Sequence, residues 1–592
     1  MESYSLLYSS SHRTALLSGF QRLRSRGDMC DVVLEVGGVS FPCHRALLAS
    51  SSEYFRALFG ETTAERSARS VSLPALTPEG LDDVLNFLYS GWLGVSSATL
   101  PAVLEAARYL QVETAVALCE RFVTDGLNAD RCCRYADLAE RHALPDALDA
   151  ANRTIAAEMG TLLREGRGGL LRLNIRSLAA VLDADEVPGV KEAELVKLAL
   201  DWLDENGPLP LLKSNLLLSR LRFGLVAPSD LAELSAAHRA MATPLVRSQV
   251  TRALEYHGSG SAQPIRQSRQ STLRAPPDRV LLVGGGSSPD WPERQMLAFD
   301  PRSRKFSPVG SGVPLRLRRH CVCSVGGFLF VIGGEEVSEG GEEAGKPVAG
   351  GATSRRAWRY DPRFDRWEAM ASMLERRERF ACCVAEDAIY AIGGRGARPG
   401  AGGSASVEFY EVAAGAWRRG TPMPRPLHGH ACAALGGGIY VSGGRSGGGG
   451  DERDDRGESG RDLVFWDLGG GAWEKRASTA IGRFGHRLAA AGGFVYALLG
   501  MHEPFCDIER YDPRSDHWTR LRPLLAGSFD YGVATTASGN LLVFGGRRWS
   551  DGREVTARSV MEYDTKADLW REICQLPRPL AGTECTLLPL PD

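Results

Sequence analysis

Three short stretches of this 592-residue chain set out residues at spacings that can perform chemistry. Gly340 to Lys346, GGEEAGK, has the spacing of a phosphate-binding loop, in which a glycine-rich turn and a lysine cradle phosphates. Pro347 then stands where a Ser or Thr hydroxyl must reach magnesium, and no helix can follow. Gly444-Arg445-Ser446-Gly447-Gly448 spells GxSxG, the sharp turn that presents a nucleophilic serine between a strand and a helix. A strand precedes it, but a glycine run and an acidic insert replace the helix. His428-Gly429-His430 offers two imidazoles, yet no nearby Cys or His completes a metal set. The 13 cysteines include no CxxC, and neither Cys132-Cys133 nor Cys382-Cys383 is followed by a second pair at metal spacing. They read as reduced, buried thiols of a cytosolic protein. These residues predict no catalytic centre, no metal and no cofactor.

What remains to be explained is the frame that carries them. A chain this long has room for about four domains. Its 43% hydrophobic and 24% charged residues are those of an ordinary globular protein. A net charge of −2 gives no electrostatic footprint for nucleic acid. No apolar run approaches the ~20 residues of a membrane helix, and the start MESYSLLYSSSHR has no signal-peptide pattern. The expectation is an intracellular protein, cytoplasmic and with nuclear or cytoskeletal locations open. Basic residues are nearly all arginine, 63 against 7 lysines, which reads as coding bias.

Glycine is uneven: residues 1–276 hold 18 and residues 277–592 hold 49, and nine of the eleven tryptophans lie in the second part. Between them, residues 258–277 (GSGSAQPIRQSRQSTLRAPP) lack apolar periodicity and read as a linker. Beyond it, six apolar segments each run into a glycine pair or its remnant: VLLVGGG, FLFVIGG, AIYAIGG, GIYVSGG, FVYALLG and NLLVFGG. Each is followed by an aromatic residue, an acid, and a second aromatic seven residues after the first. The pairs are Phe299/Phe306, Tyr360/Trp367, Tyr410/Trp417, Trp466/Trp473, Tyr511/Trp518 and Tyr563/Trp570. A repeat of this length marks one four-stranded propeller blade per unit. The apolar runs are strands buried between blades, the glycines end them in tight turns, and the aromatics fill the wedges.

Five repeats open with an extra strand, at residues 319–325, 379–384, 429–435, 485–491 and 530–537, but the first starts abruptly at Arg279. The missing strand appears at the far end, in GTECTLLPL (582–590), so the carboxyl terminus is expected to close the ring. Two low-complexity inserts, 335–356 and 445–460, follow glycine pairs and read as disordered, locally acidic loops on one face.

In the first half, residues 30–36 (CDVVLEV) alternate like a strand, Gly37-Gly38 turns, and Phe41 to Phe59 read as a strand and an amphipathic helix capped near Ser51. Cys30-Asp31-Val32, FPCHRALLASSSEYFRALF, LNFLYSG (85–91) and AARYLQV (106–112) resemble the BTB domain. Residues 125–257 read as helical, with Leu195, Leu198 and Trp202 on one face. ADRCCRYADLAE, KEAELVKLALDWL, SRLRFGLVAPSDL and VTRALEYH resemble the BACK domain. With the repeats, the whole chain resembles the BTB–BACK–kelch family. The organisation expected is an α/β BTB domain (1–124), an all-helical BACK domain (125–257), a linker (258–277) and a six-bladed kelch β-propeller (278–592).

The resemblance implies a non-catalytic adaptor without cofactor for cullin-3 RING ubiquitin ligases, in which the BTB domain dimerises and grips cullin-3 while the propeller holds a protein substrate. Asp31 and Arg45 match the family's charges near the BTB dimer interface. The family's cullin contact includes an apolar–x–Glu tripeptide; here it is Thr63-Ala64-Glu65, with the acid kept and threonine at the apolar position. Substrate positions in the family match Arg319, Arg379, His430, Arg483, Phe484, Phe529 and Tyr531 ahead of the inner strands. After the glycine pairs they match Arg395, Arg445, Arg547 and Trp549. Arginines converging from separate blades suit an acidic peptide. A cytoskeletal scaffold binding actin or filaments, without ubiquitin transfer, stays open, and a propeller enzyme stands third.

Overall fold

The computed structural model describes residues 10–60, 63–207, 210–260, 263, 267–275, 279–286, 293–337, 351–396, 402–412, 414–447, 458–501, 506–525, 527–550 and 553–591. GGEEAGK and most of both acidic inserts fall outside these residues, and so does the disorder expected of them. The chain divides into two compact units, one of residues 1–221 with 236–246, the other of residues 222–235 with 247–592.

In the first unit, Val32–Val36 and Val39–Cys43 form a hairpin, and Ser70–Ser72 adds to the first strand in parallel. The expected single helix is two, Arg45–Ser51 and Glu53–Leu58, separated at Ser52, whose backbone is extended. Ser52 rather than Ser51 is the cap: its Oγ accepts from the Phe55 N–H at 3.1 Å. The helix Pro78–Ser90 follows standard punctuation, with Thr77 capping, proline in the first turn, and Gly91 left-handed at its end. One apolar core runs from Val32 through Leu85 and Tyr89 to Tyr135, Leu138 and Ala147, so burial is continuous across residue 124. The helix Glu192–Glu205 buries Leu195, Leu198 and Trp202, and the indole N–H donates to the Leu173 carbonyl at 2.9 Å.

The second unit contains six four-stranded antiparallel sheets. Their inner strands are Glu584–Leu587, Cys321–Val325, Ala381–Ala385, Ala431–Leu435, Arg487–Ala491 and Gly532–Thr535, heading blades one to six. Each packs against the next, and the last returns to the first, so the ring is closed. Closure is made by Glu584–Leu587 pairing antiparallel with Val280–Val283, as the sequence predicts. Four of the second strands, among them Phe328–Ile332 and Gly438–Ser442, are buried along their whole length, and Ala388–Ile392 and Phe494–Leu498 at all but the first residue.

All six aromatic pairs lie directly opposite each other on neighbouring strands, from Phe299↔Phe306 to Tyr563↔Trp570. Their ring centroids are 4.9–5.4 Å apart. Four of the tryptophans also reach the preceding blade: Trp417, Trp473, Trp518 and Trp570 donate to the carbonyls of Ala371, Thr421, Ala477 and Arg522. The aspartates after the first aromatic cap the turn, as Asp512 does for the Arg514 N–H at 2.9 Å. The glycine pairs are left-handed, and at Gly545 (φ 58°) an added Cβ would sit 2.2 Å from the Leu580 carbonyl of the next blade. Leu499 keeps the same geometry without glycine, at φ 44°, a strain of about 1–2 kcal/mol.

The segment read as a linker packs within the propeller unit. Arg363 of the second blade grips Asp361 through two bonds (2.7 and 2.6 Å) and donates to Gln267 Oε1 and the Ser271 carbonyl, both at 2.9 Å. Its guanidinium lies among the rings of Phe328, Tyr256 and Phe364. Arg359 donates to the Gly260 carbonyl at 2.8 Å. Removing Arg363 strands a buried Asp361 and releases residues 256–274. Arg363→Ala is expected to raise tryptic cleavage at Arg269 and Arg274 by roughly tenfold or more. Limited proteolysis at the wild-type rate would contradict this anchoring.

Candidate functional site

Each blade repeats one junction at the same end of the disc. The residue after the glycine pair pairs through its backbone with the residue lying three before the inner strand. The pairs are Glu335↔Arg318, Arg395↔Glu378, Arg445↔His428, Arg547↔Phe529 and Gly286↔Ala581; in the fifth blade the Met501 N–H donates to the Phe484 carbonyl at 2.7 Å. The next residue is left-handed in all six blades: Arg319, Arg379, Gly429, Gly485, Asp530 and Gly582. Its N–H donates to the same point of the preceding blade from Gly429 to Arg379, Gly485 to Gly429 and Gly582 to Asp530, each at 2.8 Å. One common strand order thus sets a ring of side chains on one face.

Against this frame the sequence-predicted residues separate into two groups. Arg319, Arg379, Arg395, Arg445, Arg547 and Trp549 stand on the face. Arg445 and Arg379 both lie over the Phe484 ring, at 4.4 and 5.8 Å from its centroid, and Arg547 lies 6.0 Å over Phe529. Phe484 and Phe529 are buried and serve as platforms beneath the guanidiniums. Trp549 is 57% exposed on a hairpin formed by Arg547–Ser550 and Arg553–Thr556.

The others are interior. Arg483 is fully buried, with Nη2 bonded to Glu509 at 2.9 Å and Nη1 to the carbonyls of Leu499 and Asp507. Tyr531 is buried and donates to the Leu498 carbonyl at 2.6 Å. His430 packs on Gly393, and burial pushes its pKa down to about 3, so it is neutral. His428, its neighbour in HGH, is buried against Phe484 at 5.5 Å between ring centroids. Among the described residues, no group of three or more His, Cys, Asp or Glu is placed to hold a metal ion.

Acids absent from the sequence reading interleave with the arginines. Arg318 makes a bidentate pair with Glu335 (2.7 Å twice), and Arg319 stands 3.3 Å from Glu335 and 3.6 Å from Glu378. Burial pulls the Glu335 carboxyl upward, but Arg318 outweighs it and holds the group below its ordinary range. Burial dominates at Glu378 and raises it. Arg547 is held by Asp530 at 2.6 Å and Glu554 at 2.8 Å. Aligning the six repeats on the left-handed residue would have exposed Asp530 and Glu378. In the arc around Phe484, Arg379 and Arg445 share one aromatic ring.

In the BTB region Asp31 and Arg45 do meet, but not as a simple ion pair. Asp31 Oδ1 accepts from the Arg45 backbone N–H at 2.8 Å. The Arg45 guanidinium lies 4.6 Å over Phe59 and donates to the Glu65 carbonyl at 2.9 Å and to the Ala68 carbonyl. Arg45 therefore fixes the loop carrying Thr63 and Glu65. Thr63 Oγ1 donates to the Leu58 carbonyl at 2.6 Å and contacts that of Gly60 at 3.1 Å, closing the turn after the helix. Tyr54 and Tyr109, 5.1 Å apart, are half-buried and exposed neighbours that sequence reasoning passed over. Burial raises the Tyr54 hydroxyl, and the hydrogen bond to Tyr109 and the charge of Glu65 add to this.

An α/β BTB domain, a helical segment and a kelch propeller of four-stranded blades in one chain define a protein built to hold other proteins. The BTB/POZ domain matches residues 20–127, the domain described as BTB And C-terminal Kelch matches 132–236, and the kelch motif matches 316–374, 376–424, 426–480 and 475–525. The chain belongs to the BTB–BACK–kelch family. It is 39% identical to human Kelch-like protein 34, over 100% of this chain and 97% of that one. It is 30% identical to Kelch-like protein 36 of Bos taurus, over 98% and 92%, and 26% identical to Kelch-like protein 26 of Danio rerio, over 98% and 94%.

Proposed function

We propose that this protein is a substrate-recognition adaptor of a cullin-3 RING ubiquitin ligase: non-catalytic, homodimeric through its BTB domain, and holding an acidic protein target on the propeller. It would work in the cytoplasm, and secondarily in the nucleus or on the cytoskeleton. The observation that carries the reading is the BTB loop. Arg45 holds Glu65 beside Tyr54 and Tyr109, which presents an acid and two phenolic rings as a docking patch. On the propeller, the Arg379–Phe484–Arg445 stack offers two cations on an aromatic platform to a carboxylate-rich segment.

Thr63 favours a second reading, a cytoskeletal scaffold without ligase partner, because its hydroxyl is spent on the turn and it offers no deep apolar anchor. Calorimetry with cullin-3 separates the two. A buried Leu at this point contributes about 1.5–3 kcal/mol, so Thr63→Leu is expected to tighten binding roughly tenfold and Glu65→Ala to weaken it. Sedimentation of the same full-length preparation at micromolar concentration should give a dimer. A cullin-3 isotherm with no heat for wild type or either variant would reject the adaptor reading, and a monomer would reject the BTB dimer.

A further inference from the structure

Five cysteines, Cys321, Cys382, Cys383, Cys432 and Cys585, line a cavity of about 320 Å³ along the propeller's axis. They come from four of the six inner strands, and their arrangement follows from strand alternation. Cys321 points from the second blade toward the third, its thiol reaching the Phe380 carbonyl at 3.2 Å. Alternation with period two aims Cys323 the same way and aims Cys382, at an opposite-parity position, back toward it. Cys321, Cys323 and Phe380 share one apolar cluster, with Cys382 packed against it. One boundary further on, Cys383 points forward and Cys432 backward, and both pack against the next cluster. Cys382 and Cys323 thus neighbour one another in the first cluster, and Cys432 and Cys383 in the second, close enough for the thiols of each pair to interact. Two consecutive blade boundaries therefore each carry a dithiol: Cys383 and Cys432 both line the water-sized channel, and Cys382 lines it with Cys323 packed behind.

We propose that this channel is an oxidisable dithiol site, in which a small peroxide converts Cys323/Cys382 and Cys383/Cys432 to inter-blade disulfides. The first thiol gives up its proton and attacks a peroxide oxygen; the O–O bond breaks, leaving a sulfenic acid and one water. The neighbouring thiol then attacks that sulfur, the S–S bond forms, and the hydroxyl leaves as a second water. Two thiols are thus oxidised and one hydrogen peroxide is reduced to two waters. Cys382 and Cys432 are held protonated, first by interaction with their partner thiols and then by burial. The reaction is accordingly slow at neutral pH and speeds up as pH rises. Each bridge would staple neighbouring blades in the arc that carries Arg379, Arg395 and Arg445 at its end.

The test uses full-length wild-type protein treated with hydrogen peroxide, quenched, unfolded and alkylated, then mapped without reduction. The expected products are peptides joined through Cys323–Cys382 and Cys383–Cys432, reversed by dithiothreitol, with a melting temperature raised by several degrees over the reduced protein. Cys382→Ser should abolish the first bridge and keep the second, Cys383→Ser the reverse, and Cys132→Ser should keep both. Four alkylatable thiols after peroxide treatment would overturn the proposal. So would bridges formed only in chains unfolded before oxidation, or bridges that survive both Cys382→Ser and Cys383→Ser.

Discussion

Deleting residues 582–591 is expected to abolish the cooperative folding of the propeller. These residues supply the inner strand of the first blade, in which Glu584, Cys585, Thr586 and Leu587 face Val283, Leu282, Leu281 and Val280. Beyond the strand, Leu588 and Leu590 are buried in the cluster that also holds Leu281, Val283 and Leu329 of the first two blades. Burial of two leucines contributes about 3–6 kcal/mol together, comparable to the whole stability of many domains. The loss does not stop there. Glu584–Leu587 packs on the inner strands of both the second and the sixth blade, so its removal opens the ring and bares the fully buried edge Val280–Val283. An apolar unpaired edge is a template for intermolecular pairing. Calorimetry should show the propeller transition lost or lowered by more than roughly 10 °C, with aggregation on concentration. A truncated chain that melts at the wild-type temperature would refute closure by this strand.

That closure was readable because strand register is written in local pattern: GTECTLLPL has the same apolar spacing as the five other inner strands, and the first repeat lacks its own. The aromatic pairs were readable for the same reason, since a seven-residue spacing across a tight turn leaves little choice of geometry. The face was not. The substrate positions that the family resemblance implies lie on loops ahead of the inner strands and after the glycine pairs, and within those loops they come from different registers. Arg319 and Arg379 are at the left-handed residue; His430 and Tyr531 are one later, Phe484 and Phe529 one earlier, and Arg483 two earlier. One step along an extended chain turns a side chain from solvent to core, so arginines of similar appearance had opposite fates. The 258–277 segment failed for another reason. Its anchors are polar groups meeting Arg359 and Arg363, about 100 residues away in sequence, and no local periodicity signals a contact of that kind.

Arg483 and Arg445 are expected to behave oppositely when neutralised, although the sequence gives both the same standing. Arg483 is enclosed with Glu509, which also accepts the Ala480 N–H at 2.9 Å, and an equivalent buried pair, Arg377 with Glu408 at 2.8 Å, locks the third blade. Arg483→Met leaves the Glu509 carboxylate buried without its cation and removes the guanidinium donor from the Leu499 and Asp507 carbonyls. Breaking one side of such a pair costs about 3–5 kcal/mol, which should lower the melting temperature by roughly 10 °C. Adding Glu509→Met removes the orphaned charge and should restore part of the loss, but not all, because the Ala480 N–H and the Leu499 carbonyl lose the partners that Glu509 and Arg483 supplied. Arg445 instead lies over Phe484 at the face, with Arg379 sharing the ring. Arg445→Glu combined with Arg379→Glu should lower melting by less than about 5 °C, since both side chains are half-buried at the face and lose about 0.5–1 kcal/mol each of contact with the Phe484 ring. The same double variant should lose capture of an acidic target, because two cations that pair carboxylates become two repelling acids. Melting curves and pull-downs on the three proteins, with dimerisation as a common control, decide the matter. An Arg483→Met protein with native stability would remove the structural role of the buried pair, and an Arg379/Arg445 reversal that keeps its partners would move substrate binding to another surface.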